Sequence, residues 1–145
     1  MAVIERTALV MHSAEQMFDL VHDVLSYPQF LPWCVDAHVQ ACTDTELVAG
    51  MTISKGSLQQ KFTTRNQKQR PHQMGMELLD GPFEYLRGNW KFEALSEDAC
   101  KVHFTLDFSV KGKILSMAMT PIFKQATSTM VDAFVKRADE IYGRK

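Results

Sequence analysis

Ile114-Leu115-Ser116-Met117-Ala118-Met119-Thr120-Pro121-Ile122-Phe123-Lys124-Gln125-Ala126-Thr127-Ser128-Thr129-Met130-Val131-Asp132-Ala133-Phe134-Val135-Lys136-Arg137-Ala138-Asp139-Glu140-Ile141-Tyr142 is the stretch that decides the fold. Met119, Phe123, Ala126, Met130, Phe134, Ala138 and Ile141 recur every three or four residues, which makes one apolar stripe on a helix. Lys124, Gln125, Thr127, Asp132, Lys136, Arg137 and Asp139 fall mostly on the other side, and Gly143 stands at the stop position. At 1.5 Å per residue the rod would be roughly 43 Å long. Pro121 is expected to kink it or to start its main segment. A rod of that length with one greasy face needs a broad surface to lie on.

The residues before it read as that surface. Val35–Cys42, Leu47–Ile53, Ser57–Gln67, Met74–Leu78, Leu86–Ala94 and Cys100–Val110 alternate apolar with polar residues. The last of these sets Cys100, Val102, Phe104, Leu106, Phe108 and Val110 against Lys101, His103, Thr105, Asp107 and Ser109. Period two over so many segments predicts a sheet wet on one face and covered on the other. Thr43-Asp44-Thr45, Lys55-Gly56, Arg70-Pro71, Asp80-Gly81-Pro82 and Ser96-Glu97-Asp98 are short, turn-like connections that favour antiparallel hairpins.

Upstream, Ala2–Met11 reads as a first strand whose register the pattern leaves open. Ser13 with Gln16 three residues later is a capping-box pattern, and Met17, Phe18, Leu20, Val21 and Val24 give a short amphipathic helix. Ser26-Tyr27-Pro28 stops it. Tyr27-Pro28-Gln29-Phe30-Leu31-Pro32-Trp33-Cys34 packs two prolines and three aromatics into eight residues. It reads either as a tightly packed corner or as a cavity wall. The expected architecture is α+β: a curved, seven-stranded antiparallel sheet around a long C-terminal helix, with two short helices after strand 1. All 145 residues form one domain in this reading.

An aromatic and thioether-rich interior follows. Phe62, Met76, Trp90, Phe92, Phe104 and Phe108 come from the sheet, and Met119, Phe123, Met130 and Phe134 from the helix. They are either simply core or, because methionine repacks easily, the lining of an adaptable pocket. Phe30, Leu31, Pro32, Trp33, Pro82 and Phe83 join them as candidate cavity residues. Gln60 and Thr64 share the inward face of their strand, and a buried amide and hydroxyl need partners, which a ligand's polar head could supply.

Enzyme chemistry is not indicated. His12, His22, His38, His72 and His103 lack metal-ligand spacing, and no phosphate-cradling glycine loop is present. No acid or base falls clearly on the inward strand positions; Arg6 is the one candidate charge. Cys34, Cys42 and Cys100 form no C-x-x-C pair, so neither a disulfide framework nor a zinc site is expected. No opening apolar leader or bilayer-length run occurs, and a cytoplasmic protein, peripheral to a membrane at most, is expected. Net charge is −1, so no global field selects a partner.

One local charge bias stands out. Between Glu46 and Glu77 no acid occurs, while Lys55, Lys61, Arg65, Lys68 and Arg70 do; Arg87, Lys91 and Lys101 extend the outward set. This reads as a solvated face or as a surface for RNA phosphates or anionic headgroups, with Lys61, Arg65, Lys68, Arg70, Arg87 and Lys91 as contacts.

Ser13–Val21 leading into Tyr27–Cys34, then Leu79-Asp80-Gly81-Pro82-Phe83, Leu86, Trp90-x-Phe92, Met130–Phe134, Arg137-Ala138 and Ile141-Tyr142-Gly143 resemble the coenzyme Q-binding branch of the START-like, helix-grip (SRPBCC) superfamily. The likeness is strongest to bacterial members described as ribosome association toxins. It implies a helix-grip fold with an apolar tunnel between sheet and last helix, and no catalysis. It implies ubiquinone or a similar polyprenyl lipid as bound ligand, with no other cofactor or metal, in support of respiration. For the toxin members it implies binding to the large ribosomal subunit and a block of subunit association. The superfamily also holds polyketide cyclases and dehydrases, which makes that activity a weaker alternative.

Overall fold

A computed structural model describes residues 2–143. In chain order it has β1 (Ala2–Val10), α1 (Ala14–His22), a 3-10 helix (Val24–Gln29), β2 (Cys34–Cys42), β3 (Glu46–Lys55), β4 (Leu58–Gln69), β5 (Gln73–Asp80), β6 (Phe83–Ser96), β7 (Ala99–Val110), α2 (Lys113–Ser128) and α3 (Met130–Tyr142). The seven strands form one antiparallel sheet in the order β1-β7-β6-β5-β4-β3-β2. This is the helix-grip architecture that the alternating segments and the terminal rod predict, including the two short helices after β1.

Local chemistry sets the elements. Ser13 Oγ accepts from the backbone of Gln16 while the Gln16 amide accepts from the backbone of Ser13, so the capping box starts α1. In the β2–β3 turn, Thr43 Oγ1 accepts from the backbone N–H groups of Thr45 and Glu46. The open register of β1 is settled by β7: Ile4 lies opposite Leu106 and Arg6 opposite Phe104. Ile4 is buried, while Arg6 is exposed at the sheet edge rather than inside.

The terminal rod breaks, but not at Pro121. Pro121 lies within α2 on its exposed side, where the carbonyl its ring leaves unpaired can meet water. The joint is Thr129. Thr127, Ser128 and Thr129 all turn their hydroxyls back onto carbonyls of the preceding turn: Phe123, Gln125 and Ala126, each at 2.8 Å. Three consecutive side chains competing for the helix's own acceptors loosen the ladder and bend it.

Between sheet and helices lies an interlocked aromatic core. Phe123 of α2 sits 4.8 Å from Phe108, 5.2 Å from Phe83 and 5.8 Å from Phe62, ring centre to ring centre. Further along, Trp90 lies 4.5 Å from Phe104 and 5.2 Å from Phe134 of α3.

The outward face differs from the basic run in the sequence. Register places Arg65 of β4 beside Glu77 of β5, Glu77 beside Arg87 of β6, and Arg87 beside Asp107 of β7. The result is a ladder of alternating sign across four strands, in which opposite charges stand on directly facing positions. Arg87 donates to Asp107 at 3.3 Å and stacks over Tyr85, and Arg65 lies 4.0 Å from Glu46. Lys68 and Arg70 are not on this face. Lys68 reaches His22 of α1 at 3.1 Å, and Arg70 makes a two-pronged bond to Asp19 of α1 at 2.8 and 2.9 Å. Lys61 and Lys91 are exposed and carry no ion pair among the described residues. The six basic residues therefore do not make one cationic patch: Arg65, Arg70 and Arg87 face carboxylates, Lys68 turns to α1, and only Lys61 and Lys91 stand unanswered among the described residues.

Candidate functional site

A cavity lies where the sheet curves away from the α2–α3 joint. Trp90 and Leu86 of β6, Phe104 and Leu106 of β7, Met76 of β5 and Phe62 of β4 form its floor. Ala49 and Met51 of β3 close one side, Phe123, Thr127 and Met130 roof it, and Val24, Tyr27 and Trp33 from the 3-10 helix and its exit cap the end. Gly88 shares this floor's strand. A side chain there would bring its first carbon within 2.7 Å of the Thr105 carbonyl and 3.0 Å of both Leu106 and Met76.

The void is small, about 50 Å³. Small-molecule sites usually run to roughly 300 Å³ or more. As it stands the cavity has room for a few waters and for nothing the size of an aromatic ring. Three of its walls are methionines, unbranched side chains with three rotatable bonds that can repack around a guest.

Three polar side chains from the sheet and helix face this apolar interior. Thr127 spends its hydroxyl on the Phe123 carbonyl of its own helix. Thr64 Oγ1 donates to Asn66 Oδ1 at 2.9 Å. Among the described residues Asn66 Nδ2 has only the thioether of Met74, at 3.6 Å, and sulfur is a weak acceptor. Asn66 is buried, so its amide is an under-used donor aimed into a low-dielectric space. Tyr27 is different: its hydroxyl donates to the Val21 carbonyl, and burial pushes its ionisation far above the ordinary phenol range. Burial likewise raises the Cys34 thiol, to about 11.

Of the residues singled out in the sequence, Trp33, Phe62, Thr64, Met76, Trp90, Phe104, Phe123 and Met130 border the cavity. The others stand elsewhere. Phe83 and Phe108 pack behind Phe123; Phe92 packs between Phe18 and Trp90; Phe134 packs on Tyr27, Phe30 and Trp90. Leu31 and Met119 are fully buried core. Phe30 is half-buried under the Arg137 guanidinium. Pro82 belongs to the turn whose carbonyl accepts from Lys111. Pro32 lines a separate surface groove with Ser54 and Ile122. Trp33 borders both that groove and the cavity, so its indole is the partition between them. Gln60 is half-buried and outside the cavity.

Sequence reasoning missed Asn66, although its signal was present. Asn66 lies two residues beyond Thr64 and so on the same face of β4. It also missed Val24, because no period marks the inward side of a 3-10 turn, and Ala49, Met51, Leu86, Leu106 and Thr127, whereas Tyr27 falls in the stretch read as a corner or a cavity wall.

Comparison with known proteins places this geometry. Over 145 residues the chain is 45% identical to the "Ribosome association toxin RatA" of Escherichia coli (strain K12), covering all of this chain and 92% of that one. It is 31% identical over 137 residues to the "Coenzyme Q-binding protein COQ10 homolog B, mitochondrial" of Xenopus laevis, covering 92% of this chain and 56% of that one. Among solved structures, a START superfamily protein from Mycobacterium smegmatis superimposes with a TM-score of 0.79 at 18% identity, covering 96% of this chain and 98% of that one. That likeness speaks for the fold alone. A family profile described as "Polyketide cyclase / dehydrase and lipid transport" matches residues 10–135, from the end of β1 into α3. A match that takes in every strand from β2 to β7 and the joint that roofs the cavity leaves the assignment plain: the chain belongs to the polyketide cyclase / dehydrase and lipid transport family.

Proposed function

We propose that this chain is a non-enzymatic, cytoplasmic protein that associates with the ribosome, and that its interior accepts a small apolar ligand with a quinone-like head. The observation that carries the first part is identity over the full length. A fold hosts many functions, but 45% identity along the whole of a 145-residue chain to a protein named for ribosome association supports more than a shared fold. No helix among the described residues is long and apolar enough to cross a membrane, which accords with work on ribosomes. On a sucrose gradient the protein is expected to migrate with the large subunit and to reduce the fraction of joined ribosomes. If it stays at the top of the gradient even at low salt, the reading fails. Lys61→Glu with Lys91→Glu, the exposed lysines left unanswered by the charge ladder, is expected to weaken co-sedimentation several-fold and flatten its salt dependence.

The second part rests on Asn66. A buried amide that donates only to sulfur, in a pocket of methionines and aromatics, offers one hydrogen bond to a carbonyl guest. A quinone ring presents such a carbonyl on an otherwise apolar body, and the relative from Xenopus laevis is named for binding coenzyme Q. Because the resting void is about 50 Å³, entry requires Met51, Met76 and Met130 to swing aside. A polyprenyl tail would leave past Trp33 into the adjoining groove. No carboxylate, histidine or lysine is among the described residues that line the cavity, and its one phenol, Tyr27, already donates its proton to the Val21 carbonyl, which speaks against a cyclase reaction. The test is titration with a short-tailed ubiquinone, read by quenching of Trp90 and Trp33, the chain's two tryptophans. Quenching is expected, and Asn66→Leu should weaken it by roughly five- to tenfold, the worth of one hydrogen bond. No quenching, and no quinone in a solvent extract of the purified protein, would overturn this part and leave ribosome association standing.

A further inference from the structure

α2 has two apolar faces, and the fold uses only one. Met119, Phe123 and Thr127 recur at every fourth position and are buried. On the opposite side, Ile114, Met117, Ala118 and Pro121 stand at i, i+3, i+4 and i+7, one face of a helix, and all are exposed. Ile114 is 86% exposed and Met117 73%, the two most exposed large apolar side chains among the described residues. Single exposed apolar residues need no explanation; a stripe of four along one helix does.

Along the chain, the charges that flank this stripe are of one sign. From Phe108 to Val131 the chain has no acidic residue, and it holds Lys111, Lys113 and Lys124, all exposed. At Pro121 the stripe runs into a groove of about 390 Å³ between α2 and β1, lined by Val3, Arg6, Pro121 and Lys124 among others. Arg6 donates only to the neighbouring Glu5 carbonyl, and neither Arg6 nor Lys124 has a carboxylate partner among the described residues. Two unanswered cations at the end of an apolar stripe match the layering of a phospholipid surface, with acyl chains below and phosphate above.

We propose that the outward face of α2 docks on an anionic lipid bilayer, with Ile114, Met117 and Pro121 entering the acyl boundary and Arg6, Lys111, Lys113 and Lys124 meeting the phosphates. This goes beyond both readings above and depends on neither. It has a geometric corollary. The buried side of the same helix carries Phe123 and Thr127 in the cavity roof, so docking brings lipid within about 10 Å, one helix diameter, of that cavity.

Vesicle co-sedimentation tests it, with phosphatidylcholine vesicles carrying about one third phosphatidylglycerol against phosphatidylcholine alone. The wild-type chain is expected to pellet with the anionic vesicles and to be released by high salt. Ile114→Asp with Met117→Asp should weaken partitioning at least about tenfold. Both sites are exposed, so its melting temperature should match the wild type. Lys113→Gln with Lys124→Gln should cost roughly fivefold per charge removed. Equal partitioning onto both vesicle types, no partitioning, or Asp variants that pellet like the wild type would each overturn the proposal. So would a vesicle-free dimer in light scattering that the Asp variants abolish, since the stripe would then be covered by a second copy.

Discussion

Trp90→Ala is expected to destabilise the fold by about 3–5 kcal/mol, the cost of deleting a large, fully buried aromatic. Trp90 is 1% exposed and touches every layer of the molecule. Its ring lies against Phe104 on the neighbouring strand, Phe92 on its own strand and Phe134 on α3. Truncation removes the side chain that couples the sheet to the last helix, and rigid neighbours on both sides limit collapse into the gap. In a chain of this size such a loss lowers the melting temperature by roughly 10 °C or more. Urea or guanidinium titration measures it, with Trp90→Phe as the control that keeps most of the contacts. A loss under about 1 kcal/mol for the alanine variant would mean that the sheet and α3 are not held together here.

Gly81→Ala is expected to cost about 2–4 kcal/mol, from two independent causes. Gly81 has φ of 149°, a region that residues with a Cβ rarely occupy. The added carbon would stand 2.6 Å from Phe62 Cβ and 3.2 Å from Phe62 Cα, so relief requires moving the β4 backbone and not merely a flexible side-chain end. Phe62 lines the cavity and stacks on Phe83 and Phe123, so the damage reaches the site. Gly56→Ala is the comparison. Gly56 also has positive φ, 61°, in the milder left-handed region, and nothing stands within 4 Å of the added carbon, so that variant carries backbone strain without a clash. Equal losses at the two glycines would show that the close approach at Phe62 contributes nothing.

The sheet was legible in the sequence because its inward face is periodic over most of its strands and strictly so in β7, although bulges in β2 leave Val35 and Val39 of its alternating set exposed. From Cys100 to Val110 every second residue is apolar, and every one of those is buried. The apolar stripe of the terminal helices was legible for the same reason. The joint at Thr129 was not, because hydropathy treats Thr127, Ser128 and Thr129 as ordinary polar positions, whereas their effect lies in where their hydroxyls bond. Nor could periodicity tell core from cavity. It assigns Phe104 and Phe108 to the same inward face, but only the interlocking of rings decides that Phe104 borders space while Phe108 does not, and Phe83, out of step with Leu86, reaches that face through a β-bulge. The basic run left open what faces each cation, because charge was counted along the chain. The neighbours that matter to Arg65 and Arg87 are Glu77 and Asp107, which register alone brings alongside.

The joint at Thr129 also divides the terminal rod into halves of unequal tether. α3 is pinned at several points: His12 to Asp139 at 2.8 Å, Arg137 to Gln29 at 2.7 Å and the Tyr142 hydroxyl to the Gln16 carbonyl at 3.3 Å. α2 has no side-chain hydrogen bond to another element among the described residues and rests on grease alone. Dispersion and apolar burial are non-directional, so a helix seated that way can slide or tilt without breaking a specific bond. The first half of the rod is thus the part of the lid free to lift, as a hatch hinged at one end, while the second half is the part that stays fastened.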